Sequence, residues 1–261
     1  MTGLLASVAS AAEAEIALDA GADIIDLKDP RTGALGALAA PAVRAAVARV
    51  AGRRTGSATA GDLPMRPRLL RDAVARIADL GVDIVKVGLF PGGDRDACLD
   101  ALAREAARGL RLVLVMFADR DPDFAVIDRL RGFAGAMLDT ADKTGSGLRG
   151  HLDDATLGRF VARARAAGLL GGLAGSLSAA DVAPLARLGP DYLGFRGALC
   201  AGGRNSPLDP ARLRAMRALV ARHSAAASAA TAAAGAQRAA HSRLPARLFR
   251  RRGVDGTEAP S

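Results

Sequence analysis

Tryptophan is absent, tyrosine occurs once, and lysine occupies only Lys28, Lys86 and Lys143 in a chain of 261 residues. With aromatics at 3% there is almost nothing on which bases could stack, so the net charge of +9 does not by itself imply a nucleic-acid partner. Cys98 and Cys200 lack CxxC or metal-ligand spacing, and a reducing compartment would keep them as thiols, so two packed or partly exposed thiols and no structural zinc are expected. No stretch approaches the roughly 20 apolar residues of a membrane span. The segment MTGLLASVASAAEAE has neither the basic start nor the cleavage site of a signal peptide, so a cytoplasmic protein without a membrane partner is expected. Walker loops, GxSxG elbows and HExxH helices are also missing, and no metal or nucleotide cofactor is expected.

The scarcity of lysine is informative because Lys and Arg together number 36. Surface charge in this Ala-, Arg- and Gly-rich chain has gone to arginine. Arginine stays protonated in proteins, whereas a lysine amine can be deprotonated by burial or by a neighbouring cation and can then attack a carbonyl. The three lysines are therefore candidates for positions where arginine cannot serve.

Half of the residues are hydrophobic, and they alternate between short apolar runs and amphipathic segments rich in Ala, Leu and Arg. This is the pattern of parallel strands joined by helices. Strands are predicted over Leu4–Val8, Asp23–Lys28, Thr55–Ala60, Asp83–Leu89, Leu112–Ala118, Gly135–Thr140, Leu169–Ala174 and Asp191–Arg196. Helices are predicted over Pro41–Val50, Arg68–Leu80, Asp94–Arg108, Asp153–Ala167 and Ser178–Leu188, several of them opening on Asp, Ser or Pro. The phrases AGAD at 20–23 and LGVD at 80–83 repeat one design, a helix ended by Gly with a buried strand directly after it. Eight strands and about 250 residues suit one (β/α)₈ TIM barrel.

From about His223 the composition changes to an Ala-rich segment carrying Arg238, Arg243, Arg247, Arg250, Arg251 and Arg252 against Asp255 and Glu258. Its weak apolar periodicity predicts a frayed helix or disordered extension. The expected organisation is a catalytic barrel over 1–222 and a flexible basic tail over 223–261.

Each lysine falls at or just beyond the C-terminal end of a predicted strand, the face on which barrels of this kind build active sites. A single lysine there could be a surface charge or the partner of a neighbouring Asp. Three in a chain that otherwise avoids lysine point to amine chemistry, namely a Schiff base whose imine draws electrons from the adjacent carbon. Such chemistry needs a carboxylate or second amine to move protons. Asp139, in LDT at a strand end four residues before Lys143, is the first candidate. Asp26 shares a strand face with Lys28 and could serve or simply pair with it, while Asp29 could shape the DP turn.

Gly-rich runs follow the seventh and eighth strands, where barrels commonly bind phosphate. Gly175 and Ser176 could supply N–H groups and a hydroxyl, and Arg196 and Gly197 a guanidinium and a further N–H. His151, in HLDD, reads as a capping or surface residue.

Together ADIIDLKDPRTGALGA at 22–37, SATAGDLP at 57–64, DIVKVGLF at 83–90, AMLDTADK at 136–143, LAGSL at 173–177 and RGALCAGG at 196–203 resemble the (5-formylfuran-3-yl)methyl phosphate synthase family of methanofuran biosynthesis. That family is also called 4-(hydroxymethyl)-2-furancarboxaldehyde-phosphate synthase, and the likeness runs from about Leu4 to Leu219. It implies a cofactor-free lyase that condenses two glyceraldehyde 3-phosphate molecules to a furan aldehyde phosphate, with loss of phosphate and water. By motif, Lys28 would be the Schiff-base lysine, Lys86 a second essential amine, and Asp139 and Lys143 the proton-transfer groups. Two features depart from the family pattern: the tail, and Arg66, where members often carry lysine. The rival readings are a class I Schiff-base aldolase acting on triose phosphate and a non-catalytic anion-binding barrel. The apolar helix faces of such a barrel also make a homo-oligomer expected.

Overall fold

The computed structural model describes residues 1–241. Eight parallel strands close into a barrel in sequence order: β1 (Gly3–Val8), β2 (Ile24–Leu27), β3 (Thr55–Thr59), β4 (Ile84–Gly88), β5 (Leu112–Phe117), β6 (Gly135–Asp139), β7 (Leu170–Leu173) and β8 (Tyr192–Phe195). Closure comes from β1, which pairs with β2 on one side and, through Gly3↔Tyr192 to Ala6↔Phe195, with β8 on the other. All eight lie within the segments read from the apolar runs or one residue outside them.

The outer layer comprises α1 (Ala11–Asp19), α2 (Ala40–Val50), α3 (Pro67–Ala78), α4 (Arg95–Ala107), α5 (Leu148–His151), α6 (Asp154–Ala166), α7 (Ala179–Arg187) and α8 (Pro210–His241). Their starts follow from side chains that satisfy orphan N–H groups: Ser10 accepts from Glu13 N, Asp94 from Ala97 N and Asp153 from Thr156 N. Just beyond α1 and α3, Gly21 and Gly81 take positive φ, as the repeated phrase predicts.

The repeat is broken once. Between β5 and β6 there is no α-helix but two 3₁₀ turns, Ala118–Arg120 and Phe124–Arg129. Asp121 enters the left-handed region and is followed by Pro122, so no helix can propagate there. Phe124 covers the gap by packing on Phe160 of α6, with ring centroids 5.5 Å apart.

The boundary expected at residue 222 falls inside α8. The hydroxyl of Ser224 in this helix is buried and accepts a 2.6 Å hydrogen bond from the N–H of Thr2, so the helix still contacts the barrel beyond that point. Residues 242–261, the rest of the segment expected to be flexible, lie outside the described residues. Among the described residues no helix is long and apolar enough to cross a membrane.

Two apolar layers result from the strand period of two. Leu4, Ala6, Ile25, Leu27, Val85, Val87, Ala136 and Leu138 face the helices. Leu5, Ile84, Val113, Val115, Met137 and Tyr192 fill the barrel interior. Toward the C-terminal ends of the strands the inward positions turn polar, and that change positions the site.

Candidate active site

The alternation that sends Ile25 and Leu27 outward sends Asp26 and then Lys28 inward. The same rule places Ser7 on β1, Ser57 on β3, Lys86 on β4 and Asp139 on β6 inside the barrel. They meet beneath a cavity of about 370 Å³ at the C-terminal mouth, lined among others by Lys28, Lys86, Asp139, Lys143, Ser176 and Arg204. All three lysines of the chain therefore converge on one site.

Deepest is the pair formed by Lys86 and Asp26, with Nζ 2.8 Å from Oδ2 and both side chains sealed from solvent. Asp26 also accepts from Ser7 Oγ at 3.0 Å and Ser57 Oγ at 2.7 Å. Burial pushes its carboxyl up, but the charges of Lys86 and Lys28 and the hydrogen bonds from Lys86 and Ser57 outweigh this and hold it below the usual carboxylate range. Asp26 is thus a fixed anion.

A second pair lies nearer the rim, where Lys143 Nζ donates to Asp139 Oδ1 and reaches Thr140 Oγ1 at 3.4 Å. Thr140 N donates to the same Oδ1 at 2.8 Å. Again burial raises the carboxyl, and Lys143, Lys28 and these hydrogen bonds overcome it, so Asp139 is held ionised.

Lys28 stands between the pairs with no carboxylate in hydrogen-bond contact; its Nζ donates only to Ala34 O, at 3.4 Å. Burial lowers its proton affinity, Asp139 and Asp26 oppose that, and Lys143 and Lys86 reinforce it. The outcome is an amine pushed down to about 8. A lysine of this kind has an appreciable free-base fraction near neutral pH and can act as a nucleophile.

Two further carboxylates fix the loops that carry these amines. Asp62, just after β3, accepts from Ala34 N at 2.9 Å and Leu35 N at 2.7 Å, which holds the carbonyl that Lys28 uses. Asp119, just after β5, accepts from Ala141 N at 2.7 Å and Asp142 N at 2.8 Å, the two residues that lead into Lys143. Asp29 is turned aside to Arg31, accepting its backbone N–H at 3.0 Å and its guanidinium at 2.9 Å, so it shapes the DP turn. His151 is exposed, with Nε2 3.1 Å from Ser146 O.

The glycine-rich loops after β7 and β8 line the other wall. Gly175, at φ +109°, lets its loop lie against β6: a Cβ there would meet Thr140 Cγ2 at 3.0 Å and Thr140 N at 3.1 Å. Ser176 also takes positive φ. The N–H groups of Ser176, Gly197 and Ala198 form no hydrogen bond within the described residues.

Arg196 does not behave as its sequence position suggests. All five of its guanidinium N–H groups are spent inside the protein: Nε on Arg204 O at 2.8 Å, Nη1 on Ser7 O at 3.2 Å and on Glu13, and Nη2 on Glu13 Oε1 at 3.2 Å and Ser206 O at 3.0 Å. With a buried carboxylate partner on α1, its guanidinium is a structural clamp, and the expected phosphate role for that group is corrected. The cavity arginine with open donors is Arg204, which sequence reasoning passed over although it directly follows the AGG run. Among the described residues no group of three or more His, Cys, Asp or Glu side chains converges as a metal site.

Comparison with known proteins resolves the family. Residues 4–217 match the sequence profile described as 4-HFC-P synthase. The chain belongs to the 4-HFC-P synthase family. One relative, the (5-formylfuran-3-yl)methyl phosphate synthase of Methanosarcina barkeri, is 33% identical over 218 residues, covering 78% of this chain and 93% of that protein. The synthase of the same name from Methanopyrus kandleri is 36% identical, covering 77% and 90%. A Methylorubrum extorquens protein to which that activity is provisionally assigned is 48% identical over 222 residues, covering 82% and 92%. Among solved structures, 3-hexulose-6-phosphate synthase from Salmonella typhimurium superposes with a TM-score of 0.60 at 19% identity, covering 85% of this chain and all 100% of that one. Phosphoribosyl anthranilate isomerase from Thermus thermophilus gives 0.59 at 16%, covering 85% and 99%. At such identities the two structures speak to the fold alone, and they agree with a 4-HFC-P synthase chain built as a TIM barrel.

Proposed function

We propose that this member of the family is a lyase that joins two molecules of glyceraldehyde 3-phosphate into (5-formylfuran-3-yl)methyl phosphate, with loss of one phosphate and two waters, in methanofuran-type cofactor biosynthesis. The observation that carries the reading is the contrast among the three lysines: Lys86 and Lys143 are each tied to a carboxylate, and Lys28 is not.

In this reading the free amine of Lys28 adds to the carbonyl of one triose phosphate, and the carbinolamine loses water to an imine. The protonated imine acidifies the neighbouring carbon. Asp139, ionised and in contact with Lys143, takes a proton from that carbon or from a hydroxyl, and the Lys143 ammonium returns protons to leaving oxygens. Lys86 and Asp26 hold the field around the Lys28 nitrogen without taking part in bond making. The carbonyl of the second triose accepts the resulting carbon nucleophile; eliminations and ring closure then give the furan and free Lys28.

The test is intact-protein mass spectrometry after borohydride reduction with glyceraldehyde 3-phosphate, comparing wild type with Lys28→Arg, alongside furan absorbance without reductant. A trapped adduct absent from the variant, together with furan formation by wild type, is expected. An adduct without furan would favour a class I aldolase. Folded protein giving neither would remove the amine chemistry and leave an anion-binding barrel.

A further inference from the structure

Of the two arginines that line the cavity, Arg204 has no carboxylate in ion-pair contact among the described residues. Arg204 lies in the loop that follows β8, is half-buried, and reaches the cavity beside Ala198 and Gly197. Its one hydrogen bond from the guanidinium is Nη2 to Gly33 O at 3.1 Å, leaving four donors open among the described residues. Arg196, eight residues earlier, has none open.

Position adds to this. The loop bearing Arg204 is pinned at its base by the bridge between Cys200 and Leu208 and by Arg196, which donates to Arg204 O. Its backbone is therefore held while its guanidinium faces the cavity. The unpartnered N–H groups of Ser176, Gly197 and Ala198 line the same wall. Burial disfavours the Arg204 cation and Arg196 adds repulsion, with Asp139 and Asp62 partly offsetting both; an incoming anion would relieve what imbalance is left. A planar fork beside several N–H groups suits a tetrahedral oxyanion better than a single carboxylate.

We propose that Arg204 is the specificity-determining residue of the site: it binds the phosphate monoester of a substrate and so selects phosphorylated over unphosphorylated trioses. The assignment builds on the function proposed above. Through Gly33 the same side chain also touches the loop whose Ala34 carbonyl receives Lys28, so phosphate bound at Arg204 and the carbonyl carbon at Lys28 are referred to one rigid segment.

The experiment uses the full chain as wild type, Arg204→Met and Arg204→Lys. Its first arm titrates inorganic phosphate calorimetrically, which requires no carbonyl chemistry. Its second measures the concentration of glyceraldehyde 3-phosphate, and separately of glyceraldehyde, that half-saturates borohydride trapping. Expected are phosphate binding weakened at least 10-fold in Arg204→Met and a preference for the phosphorylated triose reduced at least 10-fold, with partial recovery in Arg204→Lys, which restores charge but not the fork. Phosphate binding equal in wild type and folded Arg204→Met would overturn the assignment, as would an unaltered preference between the two trioses, which marks a structural role. Phosphate binding that depends on Arg204 in a protein that traps no triose would uphold the anion site and sink the proposed reaction instead.

Discussion

The Asp26–Lys86 pair is built from strand residues and sealed, with side-chain exposures of 0% and 2%, whereas Asp139–Lys143 joins a strand end to a loop and retains 3% and 10%. Both pairs bring one lysine and one carboxylate to the same cavity, yet they suit different work. A pair on two rigid strands, with two serine hydroxyls on the carboxylate, has nowhere to move and acts as a fixed field. A pair of which one member rides on a loop can exchange partners, as proton transfer requires. Buried ion pairs are also poor stabilisers compared with apolar packing of equal volume, so a sealed pair inside a barrel is better explained by what it does to Lys28 than by what it adds to the fold.

This comparison can be broken most forcefully at the rim. Asp139→Asn is expected to cut furan formation by about 10²–10⁴-fold, the usual worth of a general acid–base group, with little change in the unfolding midpoint; turnover and urea unfolding measured on one preparation check both halves. A large loss of stability with modest loss of turnover would reverse the roles assigned to the two pairs.

At the deep pair the order inverts. Lys86→Met strands a buried carboxylate and is expected to cost about 3–5 kcal/mol of stability, most of it regained in the double variant Asp26→Leu/Lys86→Met. Chemical denaturation of the two variants measures the difference.

Acidity offers a finer test, of on the order of 3 kcal/mol. Lys28 sits at about 8 in the folded state against 10.5 for an unperturbed lysine, so between those values the unfolded chain binds the extra proton. Stability should therefore rise as pH climbs through that window, and Lys28→Met should abolish the rise. The rate of adduct trapping should likewise increase through pH 8. Asp139→Asn removes an anion and should move this midpoint down; Lys143→Met removes a cation and should move it up. Initial trapping rates against pH would sink the electrostatic account if both variants moved the midpoint in one direction.

The smallest effects belong to the loop clamps. Asp62→Ala and Asp119→Ala each leave two amides without their acceptor and are expected to cost about 1–3 kcal/mol. Asp62→Ala should slow trapping at Lys28, and Asp119→Ala should slow the later proton transfers while trapping persists; single-turnover kinetics separate the two.

Much of this was legible in the sequence for a local reason. Apolar runs mark strands, a period of two decides which side chains point inward, and Lys28, Lys86 and Asp139 follow from those two facts. Asp29 and His151 also behave as their neighbourhoods suggest. What escaped depends on partners far away in the chain. Nothing near Arg196 reveals that Glu13, 183 residues earlier, consumes its donors, and with Arg196 occupied the open arginine becomes Arg204. The reach of α8 likewise depends on a distant partner, through the contact of Ser224 with Thr2.

That contact belongs to the seam where β1 meets β8, sewn by Gly3 N to Asp191 O at 2.8 Å, Thr2 Oγ1 to Pro190 O at 2.8 Å and the Glu13–Arg196 clamp. During synthesis β1, with the sequence GLLASV, is made before the other seven strands and must wait for the last of them to cover its open edge. At roughly 5–20 residues per second that wait is on the order of 10–40 s, during which an apolar strand edge is available to any other nascent chain. The seam thus makes the newborn barrel most vulnerable to aggregation at its oldest strand, and it ties escape from that hazard to completion of the final turn of the fold.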